Sequence, residues 1–261
     1  MAVVDDSLIV FRYPVILFVV SLGVLWLSAW IGASRFQRLR ARLVDLKDEF
    51  GVVQNATLTL LGLIIGFTFS MALGRYDQRK DDEAQEANVI GTEYVRLDFL
   101  QDADAGKVRQ LLRTYLDQRI QFYTMRDEEE LQKNAAQTSD LQAQLWAGVR
   151  APASAQPSPL TALVASGMNE VLDAQGYTQA AWWNRIPVAA WALMSLLAVG
   201  AMLLVGMGAG SRTPTPRFLV ISPIVISIAF FLIADIDSPR RGIIRVVPHN
   251  LISLAESLHG P

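Results

Sequence analysis

Four long blocks without an ionised residue constrain this chain more than any other feature of its sequence. The blocks run from about Tyr13 to Ala33, from Val52 to Leu73, from Ile186 to Met207 and from Phe218 to Ala234. A helix of about 20 apolar residues spans the roughly 30 Å hydrocarbon core of a bilayer. The sequence therefore predicts an integral membrane protein with four transmembrane helices.

The segment between the second and third blocks has a different composition, because charged residues, Gln and Ala dominate it. Apolar residues recur at helical spacing from Lys107 to Tyr123, and the pattern from Leu160 to Ala181 is also that of a helix. Three prolines and two serines between Ala151 and Pro159 predict a linker. No alternating strand pattern of useful length is present. The predicted fold is therefore all-α, a four-transmembrane-helix protein with an inserted helical domain.

The predicted organisation has four parts. Transmembrane helices 1 and 2 occupy residues 1–74, the polar helical domain 75–185, transmembrane helices 3 and 4 186–235, and a polar C-terminal tail 236–261. Four spans place the inserted domain and both termini on one side of the membrane. Basic residues are almost equally numerous on the two sides, so the positive-inside rule does not choose the orientation. Trp182 and Trp183 precede the third block and are expected at the membrane interface.

Composition excludes several kinds of site. The chain has no cysteine and two histidines, His249 and His259, which rules out thiolate chemistry and a histidine-rich metal site. A net charge of -2 offers no footprint for nucleic acid. No phosphate-binding loop, metalloprotease signature or nucleophile elbow is present. We therefore expect no catalytic residue, metal site, cofactor or nucleic-acid partner, and the chain is not predicted to be an enzyme.

The second block carries polar and small residues along one face. At about 100° per residue, a narrow arc of the helix holds Asn55, Thr59, Gly62, Gly66 and Ser70, with Leu63 and Phe67 beside it. Such a face is not expected to contact lipid, where unpaired polar groups are costly. Two interpretations are open. The small residues pack against another helix, or the face lines a pore in which Leu63 or Phe67 forms a constriction.

Charged residues follow two of the blocks. Arg75, Arg79 and Lys80 come after the second block and either snorkel to lipid headgroups or form an electropositive mouth that attracts anions. Asp235 and Asp237 follow the fourth block. Acidic groups at a helix C-terminus oppose the helix dipole. We therefore expect a structural acidic segment whose charges pair with neighbouring arginines or with a bound cation.

Two sequence motifs resemble those of bestrophins, particularly the bacterial ones. The run LLGLIIGF at Leu60–Phe67, followed by Tyr76-Asp77-x-Arg79, is similar to the second-helix signature of that family. The run AFFLIADIDSP at Ala229–Pro239 resembles the acidic, proline-containing end of the fourth bestrophin helix. Four membrane helices with a helical insertion match the family as well.

The resemblance implies a homo-oligomeric, pentameric ion channel whose second helices line the pore. Carried over by position, the neck would be Thr59, Leu63 and Phe67. In a pore of this kind, Asn55, Gly66 and Ser70 would line the remainder, and Arg75, Arg79 and Lys80 would set the charge of the mouth. The implied partners are further copies of the chain, membrane lipid and inorganic ions. The implied location is the bacterial inner membrane, with the central domain and both termini in the cytoplasm. The alternative is a non-conducting membrane scaffold or sensor whose helical domain binds a partner.

Overall fold

The computed structural model describes residues 13–35, 47–208 and 220–259. Every secondary-structure element in these ranges is helical, as the sequence predicts. The α-helices of the described residues are α1 (Pro14–Arg35), α2 (Lys47–Arg96), α3 (Asp102–Thr124), α4 (Glu128–Ala155), α5 (Pro159–Trp183), α6 (Val188–Gly208), α7 (Ile221–Asp237) and α8 (His249–His259), with a 3₁₀ turn at Leu97–Phe99.

The chain divides into two compact units. The first unit comprises Met1–Gly74 and Arg185–Ile244, and the second comprises Arg75–Asn184 and Arg245–Pro261. The C-terminal tail is therefore divided between the units, and its helix α8 belongs to the second.

Helix α2 continues beyond the end of its apolar block. It runs unbroken for 50 residues, through Gly74 and on to Arg96. A glycine inside a helix costs only about 1 kcal/mol relative to alanine. The Arg, Gln, Lys, Glu and Ala residues that follow Gly74 are good helix formers, so the helix persists where the composition changes.

Three stretches of the described residues are long and apolar enough to cross a membrane. They are Pro14–Ser34 and apolar windows within Phe50–Phe99 and Pro159–Gly208. The two windows correspond to the second and third blocks of the sequence, and the polar segment between the blocks lies outside them. The fourth block forms α7, which has 17 residues. Its length of about 25 Å is short of the roughly 30 Å hydrocarbon core.

Small residues allow α1 and α6 of the first unit to approach closely. A Cβ atom on Gly32 would overlap the backbone of Leu203, and one on Gly206 would overlap the backbone of Ala29. Lipid tails are as apolar as the side chains, so close backbone contact supplies much of the attraction between membrane helices. Ring contact joins α1 to α7, where Phe18 meets Phe231 edge-on with centroids 6.2 Å apart.

The second unit has a hydrophobic core built from α2, α3, α4, α5 and α8. Its fully buried members include Ile90, Leu112, Leu145, Met168 and Leu251. Trp182 joins this core, with its ring centroid 5.0 Å from that of Phe122 and 5.4 Å from that of Tyr123. Edge-to-face packing with these rings buries the Trp182 side chain inside the protein, while its position at the membrane interface stays a prediction. Trp183 is exposed.

The linker predicted between α4 and α5 is shorter than expected. Pro152 lies in the last turn of α4, where its carbonyl still accepts a hydrogen bond from the Gln156 amide at 3.0 Å. Ser158 then begins α5 with a capping box, in which its Oγ accepts from the Thr161 amide at 3.1 Å. The connection is reduced to residues 156–158 because a proline near a helix end interrupts little of the helix.

Candidate functional site

The polar and small face of α2 is uncovered within the subunit. All six residues predicted to line a pore are exposed, namely Asn55, Thr59, Leu63, Gly66, Phe67 and Ser70. Two of them are large apolar side chains, and Leu63 is 51% and Phe67 62% exposed. Only 17% of the apolar window of this helix is buried inside the chain. Within the described residues, the subunit by itself therefore leaves this face uncovered.

The opposite face of the same helix is the one that packs. Leu61, Thr68 and Ala72 are buried, with exposed fractions between 0 and 4%. These residues lie roughly half a turn from the polar stripe, since a helix advances about 100° per residue. The hydroxyl of Thr68 donates a hydrogen bond to the Ile64 carbonyl at 2.8 Å, so this buried polar group has its partner within the helix.

The glycines of the stripe are open rather than packed. A Cβ atom on Gly62, Gly66 or Gly74 would have no other atom of the described residues within 4 Å, apart from its own stretch of helix. By contrast, Gly32 and Gly206 make close helix contacts in the same unit. Packing inside one subunit therefore does not explain the Gly62–Gly66 stripe.

The three cations that follow the apolar block have different surroundings. Lys80 is exposed and Arg75 is partly buried. Arg79 is only 1% exposed, and its guanidinium donates to the carbonyls of Ala181 and Asn184 at 3.2 Å each. These carbonyls belong to the C-terminal turn of α5, where a cation also stabilises the helix dipole. The structure thus gives Arg79 a capping role in the second unit instead of a place among exposed mouth charges.

The two aspartates of the acidic segment lie in the last turn of α7 and accept hydrogen bonds from backbone amides. Both oxygens of Asp235 accept hydrogen bonds, from the Ile243 amide at 2.7 Å and the Ile244 amide at 2.8 Å. Asp237 accepts from the Ile186 amide at 3.2 Å. Arg241 is one of the expected partners, and its guanidinium carbon lies 4.5 Å from the centroid of the Tyr13 ring. The donors that fix Asp235 are therefore main-chain groups, and the segment serves to turn the chain after α7.

Buried charges in the second unit escaped the sequence analysis. Glu86 and Arg119 form an ion pair with at most 1% exposure of either side chain. Burial lowers the pKa of Arg119, but the charge and hydrogen bond of Glu86, together with Tyr115 and Tyr123, outweigh that effect and leave the pKa raised. The hydroxyls of Thr178 and Tyr123 also donate to Glu86, at 3.1 and 3.4 Å. This network connects α2, α3 and α5.

Glu83 performs a second structural task on α2. Its Oε1 accepts from the backbone amides of Asn250 and Leu251 at 2.9 and 3.0 Å, and its Oε2 accepts from the Asn250 side chain at 2.6 Å. Glu83 therefore caps the N-terminus of α8. The sequence did carry a sign of this burial, because Glu83 and Glu86 continue the helical spacing of core residues. Charged residues at such positions are usually solvated, however, so the spacing alone does not predict that they are buried.

No group of three or more metal-ligating side chains comes together in the described ranges. His249 is exposed at the start of α8, and the side chain of His259 lies outside the described residues.

These features define an all-helical membrane protein whose second helix presents an uncovered polar face. The family model for the Bestrophin-like domain matches residues 16–251. The chain therefore belongs to the bestrophin-like family, a channel-type family, and the family resemblance is confirmed.

Solved structures of a bacterial bestrophin homologue from Klebsiella pneumoniae share the fold. The form solved by Zn-SAD phasing aligns with a TM-score of 0.63 and 12% identity, over 91% of this chain and 98% of that chain. Two point-mutant forms of the homologue align with a TM-score of 0.62 over the same shares, at 12% and 13% identity. Comparison with curated proteins finds no significant match.

Proposed function

We propose that this chain is one subunit of a homo-oligomeric, pentameric ion channel whose pore is lined by α2. The observation that carries the proposal is the exposure of the hydroxyl-bearing and glycine-bearing face of α2 in the subunit. Lipid is a poor environment for such a face. Five copies of it around a common axis would meet water and ions instead. Membership of a channel-type family supports the same assignment.

The proposed pore has a neck and two flanking regions. Thr59, Leu63 and Phe67 set the constriction, which excludes ions by dewetting where the side chains are apolar. Asn55, Gly66 and Ser70 line the remainder. Arg75 and Lys80 supply the mouth charge, since Arg79 caps α5.

The proposed topology has four spans, with α7 as the fourth. The inserted domain and both termini lie in the cytoplasm, and the protein resides in the bacterial inner membrane. Lipid surrounds the outer faces of the spans, where side chains such as Val15, Val19 and Leu196 are exposed.

A matched pair of phenylalanines tests the pore assignment. Phe67 and Phe69 are both exposed on α2, but they lie about 200° apart around the helix. In planar bilayers, purified Phe67→Ala and Leu63→Ala should carry more current than the natural chain, whereas Phe69→Ala should carry an unchanged current. Silence of all four proteins, once single-particle images have verified pentamers, would refute conduction.

The alternative is a non-conducting scaffold or sensor whose helical unit binds a partner. A monomer or simple dimer in detergent would favour it. A five-fold ring with α2 at its axis would favour the channel.

A further inference from the structure

Glu93 is a buried carboxyl group that the proposed pore does not use. It lies in the polar part of α2, inside the second unit, and its side chain has no exposure to solvent. Neither of its oxygens has a hydrogen-bond partner among the described residues. Most buried polar groups are hydrogen-bonded, and an ionised carboxylate without such bonds is strongly unfavourable. The position therefore favours the protonated form.

Gly167 of α5 provides the space for this carboxyl group. A Cβ atom on Gly167 would overlap Oε2 of Glu93 and Nη1 of Arg96. Glycine inside a helix is less favourable than alanine. The absence of a side chain at this buried position is what lets the ends of Glu93 and Arg96 lie side by side against α5.

Two charged groups influence the pKa of Glu93, one from α2 and one from α5. Arg96 follows it on α2, and Glu170 lies on α5. The Arg96 Nη1 atom is 3.9 Å from Glu93 Oε2 and 3.3 Å from Glu170 Oε2. Burial raises the pKa of Glu93 to about 8, with Arg96 opposing the shift and Glu170 adding to it. At neutral pH the carboxyl group thus keeps its proton, and the arginine bonds the more exposed glutamate.

We propose that Glu93, Arg96 and Glu170 form a proton-binding switch, in which Arg96 bonds Glu170 while Glu93 is protonated and turns to Glu93 when the proton leaves. The movement is short, because Nη1 already lies within 4 Å of both carboxyl groups. Loss of the proton to solvent creates a buried anion that needs the charge of Arg96, while Glu170 is half exposed and is left to water. The ligand of this site is a proton.

The switch belongs to the second unit and does not depend on conduction. It lies towards the end of the unbroken helix that carries the proposed pore face.

Infrared difference spectroscopy on the full-length purified protein tests the proposal, with spectra recorded well below and well above the raised pKa. The natural chain should lose a protonated-carboxyl band as the pH rises, and Glu93→Gln should lack that band. Glu170→Gln removes a neighbouring negative charge and releases Arg96, so it should move the midpoint of the change to lower pH. Glu129→Gln replaces an exposed carboxylate, so it should change neither the protonated-carboxyl band nor the pH midpoint at which that band is lost.

A band that survives Glu93→Gln, or a midpoint that Glu170→Gln leaves in place, would overturn the switch. Glu170→Gln retains Glu93, so the test holds even if Glu93→Gln does not fold. Bilayer currents do not enter either readout, so failure of the switch and failure of the channel are distinguishable.

Discussion

Removal of Arg119 should destabilise the second unit strongly, because it leaves the Glu86 charge buried. In the natural chain, Glu86 is surrounded by the Arg119 guanidinium and by the hydroxyls of Thr178 and Tyr123. Arg119→Met keeps much of the aliphatic volume but removes the cation. The two hydroxyl donors then remain, and they cannot neutralise a charge that has no contact with water.

The expected cost follows from the burial of both partners. Breaking a buried ion pair on one side costs about 3–5 kcal/mol. For a unit of this size, each kcal/mol lowers the melting temperature by roughly 2–8 °C, so we expect a fall on the order of 10 °C or more. Glu86→Gln should be destabilising as well, because it leaves the Arg119 charge buried.

Removal of both charges should recover much of the loss. The double variant Glu86→Gln with Arg119→Met leaves neither charge of this pair buried without its partner, so its destabilisation should fall short of the sum of the single effects by at least about 1 kcal/mol. Lys133→Met is the matched control, since Lys133 pairs with Glu129 on an exposed helix face. Such i,i+4 pairs contribute only about 0.5 kcal/mol.

Thermal unfolding followed by circular dichroism, in one detergent and at one protein concentration, measures all four variants. Strictly additive single effects, or an Arg119→Met shift no larger than that of Lys133→Met, would refute the reasoning about the buried pair.

Three further predictions concern other parts of the chain. Gly206→Ala should lower the melting temperature of the first unit because its Cβ meets the α1 backbone, while Gly200→Ala, on the same helix with open space around it, should be neutral or slightly stabilising; equal effects would contradict the close-packing argument. Glu83→Ala should release α8 and speed hydrogen exchange of its amides by roughly 10- to 100-fold, the equivalent of about 1.5–3 kcal/mol, whereas the exposed Glu256→Ala should not. The pKa of Glu93 is raised from 4.5 to about 8, so the stability that its proton provides is complete below the lower value and is lost as the pH rises to the upper one. Linkage limits that loss to about 5 kcal/mol, and unfolding measured across this pH range in the natural chain and in Glu93→Gln checks it.

The sequence by itself determined the class of the protein. Uncharged blocks of membrane-spanning length force helices, because lipid offers no partner for backbone polar groups. The run at Leu60–Phe67 with the following Tyr76-Asp77-x-Arg79, and the acidic, proline-containing run at Ala229–Pro239, were sufficient to indicate the family. These features depend on local composition and spacing, which a single sequence displays directly.

Only the tertiary structure decided which face of α2 packs within the subunit and which stays open. The sequence pattern of a small-residue stripe is the same whether the stripe packs against a neighbouring helix or faces away from the subunit. Gly206 turned out to be packed and Gly66 open, a difference that depends on where the other helices lie.

The tertiary structure also decided the roles of the charged residues that follow the apolar part of α2. Arg79 and Lys80 are neighbours in the sequence, yet Arg79 is buried against the end of α5 and Lys80 is exposed. Glu86 and Arg119 are far apart in the chain and become a buried pair only when α2 and α3 pack together. A charged residue is buried only where a partner compensates its charge. When that partner is distant in the sequence, no local pattern identifies the pair.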